Sequence, residues 1–159
     1  MLYADARSVR KESSKQRQAL QDFSLIRVSL VKGKGGWKIG SVTEVKNYYH
    51  TAANQAARGS IVRVTRLVRR FLAGEESHTD LFDECLTALS FFCDKRNDRT
   101  CYEHIFIQRV LAQLGYIKLS DIPKQFAAVP LSELDHEQVC AKDALIALSI
   151  ERAQNASQL

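Results

Sequence analysis

The sequence predicts an α+β fold in which an antiparallel β unit precedes an all-α helical domain. Two stretches, residues 24–31 and 36–43, carry strand signals, and in the first Leu25 or Ile26, Val28 and Leu30 alternate with polar Arg27 and Ser29 at a spacing of two. From about residue 52 the apolar spacing lengthens to that of a helix. The charge is also divided along the chain: residues 1–70 hold fifteen Lys and Arg against four Asp and Glu, whereas residues 71–159 hold eight against fourteen. The expected organisation is a β domain over residues 1–50 and a helical domain over residues 51–159.

Each element has its own signal. Leu2-Tyr3-Ala4 reads as a first short strand. Between the two longer strands, Lys32-Gly33-Lys34-Gly35-Gly36 supplies glycines able to take the positive φ of a hairpin turn, with three lysines at or beside the tip. In the next segment Ile61, Val64, Leu67, Val68, Phe71 and Leu72 gather on one helix face, Arg63, Arg66 and Arg70 fall on the other, and Gly74 is a natural stop. A helix from Asp80 to Phe92 follows, with Thr79 as its cap and Leu81, Phe82, Cys85, Leu86 and Leu89 inward. Thr100 and Glu103 form the pattern of a capping box, Gly115 closes that helix, and its apolar face is Tyr102, Phe106, Val110 and Leu111. Pro123 and Pro130 mark an irregular stretch before a last helix over residues 136–155.

Bulk properties narrow the function. A chain of 159 residues with 26% charged residues, 7 Gly and 2 Pro has the make-up of a globular protein, not of a fibrous or disordered one. Its apolar runs are shorter than the ~18 residues of a membrane span, and no charged-then-apolar leader opens it, so a cytoplasmic protein is expected. Cys85, Cys93, Cys101 and Cys140 are irregularly spaced and read as reduced, mostly buried thiols. Cys101 and His104 make a single short-spaced pair with Cys93 upstream, short of the paired spacings of structural zinc, so no metal or other cofactor is assigned. No phosphate-binding glycine loop, His-Glu metal motif or G-x-S-x-G is present, and no catalytic residue is nominated.

Three stretches resemble a known family. Ala6-Arg7-Ser8-Val9-Arg10-Lys11, followed by Ser14-Lys15 and Leu20-Gln21-Asp22-Phe23-Ser24, is similar to the A-x-G-x-R … S … L-Q-x-F pattern of the bacterial RecO DNA repair proteins. Asp80-Leu81-Phe82 with Leu86 and Leu89, and residues 106–116 from Phe106 to Tyr116, resemble that family's E-L-F … L … L and F-E-L-R-L-L-x-x-L-G-Y. The resemblance runs in order over residues 2–118. It implies a partial oligonucleotide-binding (OB) barrel followed by helices, and a recombination mediator that is not an enzyme. Such a protein binds and anneals single- and double-stranded DNA, docks the C-terminal tail of the single-stranded DNA-binding protein SSB and also RecR, and helps load RecA. A nucleoid-associated protein, monomeric when free, is the corresponding expectation. Ser8 stands where the family has glycine and Ile107 where it has glutamate; the family's four-cysteine zinc site after L-G-Y has no CxxC here, and the chain is expected to begin inside the barrel.

The expected DNA-binding residues are Arg7, Arg10, Lys11, Lys15 and Arg17, with Lys32, Lys34, Lys38 and Trp37 on the hairpin and Arg63, Arg66 and Arg70 on the first long helix. Cations in a groove release counterions from the polymer, and an indole stacks a base regardless of its identity. The same arginine stripe is also what an ordinary solvated helix face looks like, and Trp37 equally suits a barrel core. For partners, Phe106, Val110 and Leu114 with Arg109 nearby are the candidates for a pocket that takes an acidic, aromatic tail, while Phe106 and Val110, each taken singly, better suit the core of the helical bundle. The alternative function is a protein-interaction adaptor whose β unit no longer binds DNA.

Overall fold

The computed structural model describes residues 4–6, 15–72, 78–94 and 99–156. A short strand β1 (Ala4–Asp5) and helix α1 (Lys15–Ala19) precede a hairpin of β2 (Ser24–Gly33) and β3 (Gly36–Asn47). Helices follow: α2 (Tyr48–Thr51), α3 (Gln55–Phe71), α4 (Thr79–Phe92), α5 (Thr100–Gln113), α6 (Lys124–Ala127) between two single 3-10 turns, and α7 (His136–Ala156). The fold is therefore α+β, with the β unit first and the helices after it. None of the described helices is long and apolar enough to cross a membrane. Leu2, Tyr3 and the expected stop at Gly74 lie outside the described residues.

The sheet has the order β1-β3-β2, antiparallel between β2 and β3 and parallel where Ala4 and Asp5 meet Trp37 and Lys38. Gly33 pairs with Gly36, leaving Lys34 and Gly35 as the turn, and Gly36 takes the positive φ of 107°. β3 has 12 residues against 10 in β2, and the register absorbs the difference in two bulges. Leu25 faces Lys46 while Ile26 faces Glu44, so Val45 has no partner and stands 57% exposed. Bulges of this kind bend a strand and tighten its twist. Asn47 fixes the exit from the sheet: its side chain donates to the Asp22 carbonyl and to Ser24 Oγ, and accepts from the His50 N–H as the cap of α2.

The helical core is built around α5. α3 buries Ala57, Ser60, Ile61, Val64 and Phe71 and exposes Arg63, Arg66 and Arg70, as its periodicity predicts, and Asn54 caps it by accepting from the Ala57 N–H. In α4, Leu81 is buried but Phe82 is 54% exposed, because adjacent residues on a helix point about 100° apart and Leu81 takes the inward position. No Thr79 or Thr100 cap forms; each is the first residue of its helix, after His78 and Arg99, and the Glu103 carboxylate goes to Arg63 instead. Gly115, at φ 81°, closes α5 as expected, donating to Ala112 while Tyr116 donates to Leu111. Along α5 and α7 the partners Cys101 and Cys140, His104 and Asp143, and Gln108 and Ser149 follow one another in the same order, so these two helices run parallel.

Candidate nucleic-acid interface

The hairpin presents cations at its tip and on both faces. Cross-strand partners project to the same side of a sheet. Lys32 pairs with Trp37, and Val31 with Lys38 on the opposite side. Lys32 Nζ sits 5.5 Å from the centre of the Trp37 ring, a cation–π contact that covers one face of a half-buried indole. Lys34 is exposed in the turn itself. The lysines thus surround a finger and do not line one flat sheet face, which corrects the single groove expected from sequence; the physical reason is that Lys32 stands one residue from the Gly33–Gly36 pair and Lys38 two, and successive residues of a strand face opposite ways.

Arg17 on α1 is exposed, while Arg7, Arg10, Lys11 and the Lys15 side chain lie outside the described residues. Among the described residues, Arg17, Arg27, Lys32, Lys34, Lys38, Arg66 and Arg70 form no ion pair with a carboxylate. Arg63 differs. Its Nε and Nη2 each lie 2.7 Å from the Glu103 carboxylate, a two-bond contact that holds the guanidinium above its ordinary pKa. Of the expected arginine stripe, only Arg66 and Arg70 are left without a carboxylate partner among the described residues.

The expected partner pocket is core. Phe106 and Val110 are completely buried and Leu114 is partly buried. Arg109 is 4% exposed and donates to the carbonyls of Phe126 and Val129 and to Glu84 Oε1 at 3.0 Å. A guanidinium with those acceptors is a clamp between α4, α5, α6 and the segment just after α6, and does not serve as a rim for a ligand carboxylate. The reason is that α3, α4 and α7 pack around α5, so most of its surface, the side that carries Phe106, Arg109 and Val110 included, is interior. An apolar groove of about 530 Å³ opens elsewhere, between the start of β2, α3 and α4, lined by Phe23, Leu25, Val68, Leu72, Phe82 and Leu86 among others. Cys85 lines it too, and burial, helped by Glu84, pushes its thiol up to about 12.

Two sites were not foreseen from sequence. Arg99 is 4% exposed, and Nε, Nη1 and Nη2 are all buried without a hydrogen-bond partner among the described residues; desolvation lowers its pKa against the opposing pull of Glu103 and Asp94. It lines a cavity with Gln55, Gly59, Ser60 and Arg63 at the starts of α3 and α5. The cysteines also differ from expectation: Cys85 and Cys93 are free, but Cys101 and Cys140 are joined, because the parallel packing of α5 and α7 sets their Cα atoms 5.3 Å apart across 39 residues of sequence. His136 completes a cluster with this pair. The spacing His136-x₃-Cys140 was the available signal, one helical turn apart.

Compared with protein-family models and with curated proteins, the sequence matches none.

Proposed function

We propose that the chain is a non-enzymatic DNA-binding recombination mediator of the RecO kind, which grips the sugar-phosphate strand with its OB-like hairpin and docks SSB or RecR on its helical part. The observation that carries this reading is the set of cations around the hairpin, Lys32, Lys34 and Lys38 with Arg17 and Arg27, none of them neutralised by a described carboxylate. Such cations exchange condensed counterions for phosphates, and the half-buried Trp37 adds a stacking surface beside them. With the Phe106 region closed, the groove between β2, α3 and α4 is the apolar surface available for a partner segment.

The test is fluorescence anisotropy with labelled single-stranded DNA across a series of salt concentrations. The expected result is a steep fall of log affinity with log salt, and Lys32→Ala/Lys34→Ala/Lys38→Ala flattens that slope by about 2, each phosphate contact contributing about 0.7. A second reading, an adaptor that binds protein alone, is favoured by the open groove. It prevails if the chain binds an SSB-tail peptide but no DNA at about 50 mM salt.

A further inference from the structure

We propose that Cys101, His136 and Cys140 form a zinc site in the reduced protein. His136 and Cys140 stand four residues apart on α7, so they lie on one face of it, and the first turn of α5 brings Cys101 against them. One ligand atom from each residue, the two Sγ and an imidazole nitrogen, fits within 4.8 Å of the others. Cys140 Sγ lies 3.7 Å from His136 Nδ1 and 3.9 Å from Nε2. Tetrahedral zinc with Zn–S of about 2.3 Å and Zn–N of about 2.0 Å places such ligand atoms roughly 3.6 Å apart, so the His–Cys pair already has the spacing of two ligands on one ion. The ring of Tyr102 stacks on that of His136 at 5.8 Å and 12°, holding the imidazole in place.

The donor set selects the metal. Two thiolates and a neutral imidazole suit zinc, and among the described residues no carboxylate belongs to the cluster to favour a hard cation. Two thiolate charges neutralise the ion. Cys101 is buried, Cys140 is partly exposed and His136 is exposed, so the fourth position faces solvent and takes water.

In the disulfide state the sulfurs are bonded to each other and bind no zinc. A dithiol breaks the S–S bond, passing two electrons and two protons to the sulfurs and closing into its own disulfide; a phosphine does the same with one water, which gives its oxygen to the phosphine oxide and its two protons to the thiols. The two thiols then each release a proton as zinc binds. Cys140 is the sulfur a thiolate reductant reaches, since Cys101 is 2% exposed.

The experiment uses the full chain, reduced with a phosphine and titrated anaerobically with cobalt(II) as a spectroscopic substitute for zinc. The reduced chain is expected to bind one equivalent, giving a thiolate-to-cobalt charge-transfer band and intense tetrahedral d–d bands that zinc abolishes. The oxidised chain, identified by two titratable thiols instead of four, gives neither. Cys85→Ser/Cys93→Ser keeps the spectrum, Cys101→Ser/Cys140→Ser loses it, and His136→Ala changes the d–d bands and weakens binding while circular dichroism stays that of the folded chain. The proposal is overturned if the reduced chain takes up no cobalt, if Cys101→Ser/Cys140→Ser retains the charge-transfer band, or if folded His136→Ala binds with unaltered spectrum and affinity.

Discussion

Arg109 and Arg99 are both 4% exposed, yet their surroundings are opposite. Arg109 meets a carboxylate and two carbonyls, so its removal strands a Glu84 charge that is 26% exposed and leaves two backbone acceptors without a donor. Arg109→Met is expected to cost about 3 kcal/mol in urea unfolding, the lower end for a broken buried pair because Glu84 keeps some water. Arg99 has no such acceptors among the described residues, and burying a charge without hydrogen bonds is unfavourable, a cost that the pull of Glu103 and Asp94 offsets only in part. Arg99→Met is therefore expected to leave stability unchanged or raise it, and a loss above about 1 kcal/mol would refute that account. Cys85 gives a pH signature. Its thiol, raised from the ordinary 9.0 to about 12, favours the neutral form in the folded state. Its contribution is complete below pH 9 and is lost as the pH rises toward 12, so wild type should lose stability over that alkaline window more steeply than Cys85→Ala, as thermal melts at stepped pH will show.

At the level of elements, the hairpin depends on one glycine out of three in its turn region. Gly36 alone among Gly33, Gly35 and Gly36 has positive φ, at 107°, while an added Cβ on Gly35 meets nothing within 4 Å. Gly36→Ala is expected to destabilise by about 1 kcal/mol or more, and Gly35→Ala to be neutral or slightly stabilising through the unfolded chain. Equal effects at the two positions in a urea series would contradict this assignment of the turn. The helices were legible to different degrees for a related reason. α3 has one wet face, so its Ile61, Val64 and Phe71 stand out against Arg63, Arg66 and Arg70. α5 buries Glu103, Gln108 and Arg109 along with Ile105 and Phe106. A helix enclosed over most of its surface loses its polar–apolar contrast, and its polar residues resemble surface ones in sequence.

For the whole molecule, the proposed DNA-binding surface and the core that stabilises the fold are different parts. The buried core draws on Tyr48, Ala52 and the helices, while Lys32 and Lys34 are exposed at the far end of the hairpin and Lys38 is only half-buried. The triple alanine variant at these lysines should therefore leave the urea midpoint within about 0.5 kcal/mol of wild type while weakening DNA binding. A large fall in stability would mean that the tip is packed as part of the fold and that lost binding reports unfolding.

Periodicity and turn chemistry determined the order of the elements, the hairpin tip between residues 33 and 36, the left-handed close of α5 at Gly115 and the exposed arginines of α3, because each depends on residues a few positions apart. Tertiary packing decided the rest. It turned Arg109 from a candidate rim into a clamp, gave Arg63 to a glutamate forty residues away, and brought Cys101 to His136 and Cys140. Those outcomes depend on which helix faces another and in what direction, and such pairings across long stretches of chain leave no mark in local spacing.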